Sequence, residues 1–214
     1  MLIRLRITYG HIQKSRILLR YSQNFAFDIT PLSAGASVLG YPLKLLLNAV
    51  ESRHGHEAVL RTLAEAGIPE GRVYRLNEPY PDSEAQRLIT ATVRWISLED
   101  IAEAFFTDTV TRFPTWFAMC KSSREFLEMQ PEIHNTFAVG LQRPEDREAV
   151  REKFRVEKLD GELVMHYRSP NRLCGMYKAI ARRVIRHYQE TATIDEPRCM
   201  NRGDADCEMR IRWS

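Results

Sequence analysis

The chain has 214 residues, of which 44% are hydrophobic and 28% charged, and a formal net charge of +3. That balance suits a soluble globular protein with one large domain and an appendage, and no apolar run approaches the ~18 residues a membrane-spanning helix needs. The charge is too small to imply nucleic acid, and four cysteines, three of them near the C-terminus, do not suit a secreted disulfide scaffold, so the expected setting is a reducing cytoplasm.

Most of the positive balance lies at the start: Arg4, Arg6, Lys14, Arg16 and Arg20 precede the first acidic residue, Asp28. A targeting presequence or a basic tail touching lipid or a partner are two readings, although the continuous apolar core of a secretory signal is missing. We read residues 1–40 as a basic extension and linker, because Thr30 to Gly40 is rich in small residues, and residues 41–214 as the domain.

From Pro42 the pattern is helical. Leu43 to Ser52 and Glu57 to Ala66 carry helix-spaced apolar residues, the second stopping at Gly67, and a Pro/Gly loop spans Ile68 to Pro81. Asp82 starts a helix to about Ile96, and Ser97-Leu-Glu-Asp100 has the Ser-x-x-acid pattern of a further helix start, leading to Phe113. Ser122 to His134 follows. A lone histidine on a helix is, by itself, more often a surface or satisfied core residue.

Strands follow. Asp160-Gly161 is a strong hairpin signal between Phe154–Leu159 and Glu162–Arg168. In such a strand Tyr167 and Ser169 share a face and His166 points away. Ser169 reads as the N-cap of a helix with Pro170 at its first position, running to about Gln189. Cys174 would then lie in the first turns, where the backbone dipole favours a thiolate. Strands at Thr191–Ile194, continuing towards Cys199, and at Cys207–Trp213 complete an α+β fold: an N-terminal helical part, then a C-terminal antiparallel sheet with a packed helix.

Cys174 to Glu196 is 22 residues, Glu196 to Cys199 is 3 and Cys199 to Cys207 is 8. The turn-rich Asn201-Arg-Gly-Asp-Ala-Asp206 segment would bring Cys199 and Cys207 together. Sulfur and carboxylate ligands from Cys174, Glu196, Cys199 and Cys207 suit tetrahedral zinc, though the spacing is not that of a standard finger. Unrelated buried cysteines, or a Cys199–Cys207 disulfide, fit the same spacing.

Tyr167-Arg-Ser-Pro-Asn-Arg-Leu-Cys174, a helix, and the Cys-Met-x-x-Gly-Asp-Ala-Asp-Cys hairpin resemble the C-terminal part of bacterial haem nitric oxide/oxygen-binding (H-NOX) domains. The resemblance runs from about Gly40 to Ser214. It implies a haem b cofactor with His134, in the stretch matching the proximal helix, as its axial ligand. It also implies zinc at the four-residue cluster, which the related 4-vinyl-reductase-like sensor domains share. Tyr167 and Ser169 match the first two members of a Tyr-x-Ser-x-Arg motif that binds the haem propionates; the third position is Asn171, and Arg172 comes one residue, about 100° of helix, later. Glu152 stands where the family has a proline pressing on the porphyrin. Met176 matches the distal position where oxygen-binding members carry a tyrosine, so the resemblance implies nitric oxide or carbon monoxide over dioxygen. Bacterial members signal to histidine kinases or cyclic-di-nucleotide enzymes. The sequence has no Gly-rich phosphate loop and no Ser/His/Asp pattern, so a sensor is expected, not an enzyme. A haem-free, zinc-containing small-ligand or thiol-redox sensor of the same fold is the other reading.

Overall fold

The computed structural model describes residues 37–139, 141, 143–169 and 172–214. These belong to one compact unit, Leu32–Ser214. The basic segment before residue 37, Pro170 and Asn171 lie outside the described residues.

A short strand, β1 (Ser37–Leu39), pairs antiparallel with β2 (Pro79–Pro81). Residues 37–40, read from the sequence as linker, are therefore part of the fold. Gly40 opens helix α1 (Gly40–His54), and a Cβ there would lie 2.2 Å from the Arg75 carbonyl oxygen, so only glycine allows this approach. Helices α2 (His56–Glu65), α3 (Asp82–Thr92) and α4 (Leu98–Arg112) complete the helical half. Leu43, Leu46, Val50, Leu63, Leu88 and Ile101 form its core. Ser97 caps α4 as its pattern predicts, accepting from Asp100 N at 3.1 Å, whereas α3 stops at Thr92, short of the expected Ile96.

Two short helices, α5 (Pro114–Met119) and α6 (Ser123–Glu128), lead to α7 (Gln130–Ala138), which carries His134, and to α8 (Pro144–Arg151). The helix expected over Ser122 to His134 is broken at Met129, and Ser122 caps only its first part, accepting from Glu125 N at 3.2 Å.

The C-terminal sheet contains β3 (Phe154–Leu159), β4 (Glu162–Tyr167), β5 (Ala192–Arg198) and β6 (Cys207–Trp213) in the order β3-β4-β6-β5, all antiparallel. Leu159 faces Glu162 across Asp160-Gly161, with Gly161 at φ 69°. One face, with Leu163, Met165, Tyr167, Met209 and Ile211, contributes to a core shared with helix α9 (Cys174–His187). His166 points to the other face, as expected, but is only 8% exposed, its Nε2 3.1 Å from Glu157. That face also carries the Arg210–Glu208 pair at 2.7 Å and the Arg212–Glu162 pair at 2.8 Å.

The start of α9 departs from the sequence reading. Its N-cap is Leu173, with no side-chain cap, and Ser169 does not cap it. Arg172 adopts φ 49° and donates its N–H to the Ser169 carbonyl at 2.9 Å, so the chain completes a turn before the helix begins. Gly175 then brings α9 close to α4: a Cβ there would lie 3.2 Å from Leu98 Cδ1. The whole is the α+β architecture expected.

Candidate functional site

The turn before α9 places Cys174 as that helix's first residue, where it meets Cys199, just past β5, and Cys207, the first residue of β6. All three are buried, and all four cysteines of the chain are free thiols. Cys174 and Cys199 Sγ are 3.4 Å apart, and one donor atom from each of Cys174, Glu196, Cys199 and Cys207 lies within 4.8 Å of the others. Tetrahedral zinc with bonds near 2.3 Å sets its ligands about 3.8 Å apart, so the set is sized for one ion.

The surroundings fit a cation. Glu196 Oε2 accepts from Lys178 Nζ at 2.8 Å, while its buried Oε1 has no partner among the described residues. Met200 N donates to Cys207 Sγ and Asn201 Nδ2 to Cys174 Sγ, both at 3.2 Å. The thiol held low is Cys207, at about 7, by the hydrogen bond from Cys174. Cys174, expected to be the thiolate, is pushed up by that same contact and by burial: proximity of sulfurs outweighs the helix dipole.

A second site lies at His134. Helix α7 presents His134 to an apolar cavity of about 160 Å³, walled by Tyr41, Phe105, Phe106, Trp116, Phe117, Ile133 and others. The imidazole packs on Phe154, ring centroids 4.5 Å apart, and has no hydrogen-bond partner among the described residues. Burial, helped by the Lys153 charge, pushes its pKa down to about 3, so it is neutral, the form that ligates iron. Apolar aromatic walls and one unpartnered neutral imidazole fit a haem with a single axial protein ligand. In volume the cavity matches an engineered one of about 150 Å³ that admits benzene, smaller than a four-ring macrocycle.

None of the other predicted residues described lines this cavity. Tyr167 is buried between Phe154 and Tyr177, centroids at 5.1 and 6.4 Å, and its hydroxyl accepts from Leu173 N at 3.2 Å. The Ser169 side chain hydrogen-bonds Tyr167. Arg172 is half-buried, and its guanidinium has no carboxylate partner among the described residues. Met176 lines a neighbouring cavity of about 30 Å³, which shares Val38, Pro42 and Phe105 with the first. Glu152 is exposed at the end of α8. Tyr177, one residue from the distal match at Met176, is buried, and its hydroxyl has no partner among the described residues. Lys153, which lines the His134 cavity, went unread in the sequence, since it sits in a charged run that reads as solvated surface.

The profile of the family described as haem-NO-binding matches residues 39–196. The chain belongs to this family, whose members are haem-binding sensor domains. Its fold is similar to an H-NOX protein from S. oneidensis in the Fe(II)NO state, with 17% identity, a TM-score of 0.67, and coverage of 83% of this chain and 99% of that one. An unliganded Fe(II) H-NOX mutant from K. algicida aligns with 22% identity and a TM-score of 0.65, covering 83% and 97%. An oxygen-binding H-NOX domain related to soluble guanylate cyclases gives 15%, 0.63, and 83% and 95%. None of the curated proteins compared with the chain matches it. No described helix is long and apolar enough to cross a membrane.

Proposed function

We propose that this protein is a haem-based gas sensor in which His134 is the axial ligand and nitric oxide the signal. The observation that carries the reading is the neutral, unpartnered His134 imidazole in the wall of an apolar cavity, in a chain of the haem-NO-binding family. A haem held there by His134 would supply an iron that binds a diatomic gas. The chain's own groups do the rest. Aromatic walls exclude water, and the Tyr41 hydroxyl is engaged by Asp108 at 2.7 Å. Met176, in the adjoining cavity, offers no donor to stabilise bound dioxygen, which favours nitric oxide.

Transmission would run from His134 through Phe154 to Tyr167, three rings in sequence contact, and so from α7 into the sheet. Displacement of the imidazole would change the packing of α7 on β3, a local change that a partner can read if the gas favours one arrangement. Tyr167, Ser169 and Arg172 would hold the propionate end, a histidine kinase or cyclic-di-nucleotide enzyme would be the partner, and the reduced thiols suit a cytoplasmic setting. Cys174, Glu196, Cys199 and Cys207 would hold zinc as a closed structural site. The test is the absorption spectrum of reduced, haem-supplied protein before and after nitric oxide. We expect a Soret band that shifts with the gas and is altered in His134→Ala; no stoichiometric band would refute the reading.

A second reading is a haem-free zinc module that senses oxidants through its thiols. It is favoured by the 3.4 Å Cys174–Cys199 contact beside a thiol held at about 7. Cys199→Ser abolishes oxidant-dependent change if it holds and leaves the gas response untouched if haem senses.

A further inference from the structure

Helix α9 sends two side chains towards the cysteine corner: Cys174 and, four residues on and so on the same face, Lys178. Lys178 Nζ donates to Glu196 Oε2 at 2.8 Å, and Arg202 Nη1 stands 3.4 Å from the same oxygen. Arg202 Nη2 also donates to the Glu196 carbonyl at 2.7 Å, so residue 196 is held by its backbone and its side chain together. That side chain is 9% exposed, and its Oε1 has no partner among the described residues. The strand is shaped for this placement. Between Asp195 and Arg198, three steps of β5 stand against two of β6, a bulge that ends the in-and-out alternation just past Glu196.

Cysteines that ligate a metal do so as thiolates, and a carboxylate joining three of them meets their repulsion. A cation bonded to one Glu196 oxygen offsets that repulsion and leaves the other, Oε1, to the ion. We propose that Lys178, assisted by Arg202, is a positioning residue that commits Glu196 to the metal as its fourth ligand, and so decides whether the site is closed by protein or open. This rests on the reading that Cys174, Glu196, Cys199 and Cys207 hold zinc. Without Lys178 the three cysteines would keep the ion less tightly, with one position free for water or an added ligand.

The test uses the full chain loaded with zinc, for competition against a chelator, or with cobalt(II), whose visible bands report ligand exchange at the ion. Lys178→Met should bind zinc at least about tenfold more weakly than wild type, the usual size of an outer-shell effect. Added imidazole should leave the cobalt bands of wild type and Lys178→Arg unchanged, and should shift those of Lys178→Met and Glu196→Ala, whose fourth position is open. Because Lys178 acts through Glu196, adding Lys178→Met to Glu196→Ala should change zinc affinity by less than about twofold. If Lys178→Met does not fold, Arg202→Met, a change at a half-exposed side chain, is read in its place and should likewise admit imidazole. A Lys178→Met protein with wild-type zinc affinity and no imidazole response overturns the proposal and leaves the zinc site standing. So does an equal loss of affinity in the Glu196→Ala background. Wild type that takes up neither zinc nor cobalt removes the zinc reading and this inference with it.

Discussion

In the cysteine corner four donor atoms from α9, β5 and β6 converge within 4.8 Å, and neighbouring N–H groups already point at the sulfurs. In the His134 cavity one imidazole faces largely apolar walls, without a hydrogen bond to the described residues. The first arrangement closes a coordination sphere from protein alone, the usual form of a structural metal site, whereas the second leaves most of it to be filled by something that enters. Position follows use. The corner ties the first residue of α9 to the strands beside it, and the cavity lies among α1, α4, α7 and α9.

The comparison breaks first if the corner needs no metal. At ion concentrations near a thousand times the dissociation constant, binding adds about 4 kcal/mol, and a domain of this size shifts its Tm by roughly 2–4 °C per kcal/mol. Chelation should therefore lower the Tm in scanning calorimetry by on the order of 10 °C, and an unchanged Tm would show the corner to be fastened by packing alone.

The cavity should instead reveal itself through protons. His134 is held at about 3 in the folded protein against 6.5 unfolded, so the unfolded chain binds the extra proton. Stability from this group is complete above pH 6.5 and is lost as pH falls towards 3, by about 1.4 kcal/mol per unit. Between pH 6.5 and pH 5 the haem-free protein should lose about 2 kcal/mol that His134→Phe retains, measured by urea unfolding. Lys153→Met should raise the stability of haem-free protein by about 1–2 kcal/mol, since burial disfavours the Lys153 charge more than Asp82 offsets it and Met keeps the bulk. A destabilised variant would mean that Lys153 already has a structural partner. The smallest effect is expected at Ser97→Ala, where loss of the N-cap of α4, a cavity wall, should destabilise by about 1 kcal/mol without altering zinc content.

The two regions also differed in how far the sequence revealed them. The cysteine corner was readable because its chemistry is local: a turn-rich segment between Cys199 and Cys207 brings those two sulfurs together, and a helix start supplies the third. The hairpin at Asp160-Gly161 and the cap at Ser97 were readable for the same reason, since each rests on a few consecutive residues. What escaped depends on tertiary closure. Lys153 lies among Arg151, Glu152 and Arg155, which read as solvated, and it meets the cavity only because α7 packs on β3. The apparent Ser-Pro helix start at Ser169 yields to a left-handed Arg172, a choice made by the surrounding fold. His166 alternates as predicted yet is buried, because ion pairs across β3, β4 and β6 cover the outer face of the sheet.

The most direct test of two separate sites, one closed and one open, is to quantify zinc and His-ligated haem on the same preparations of wild type, His134→Ala and Cys199→Ser, each supplied with haem and zinc. His134→Ala should keep about one zinc per chain and lose the wild-type haem spectrum, while Cys199→Ser should lose the zinc and keep a nitric oxide-responsive Soret band. Loss of both from either variant, or wild-type protein with zinc and no haem, would contradict the two-site reading.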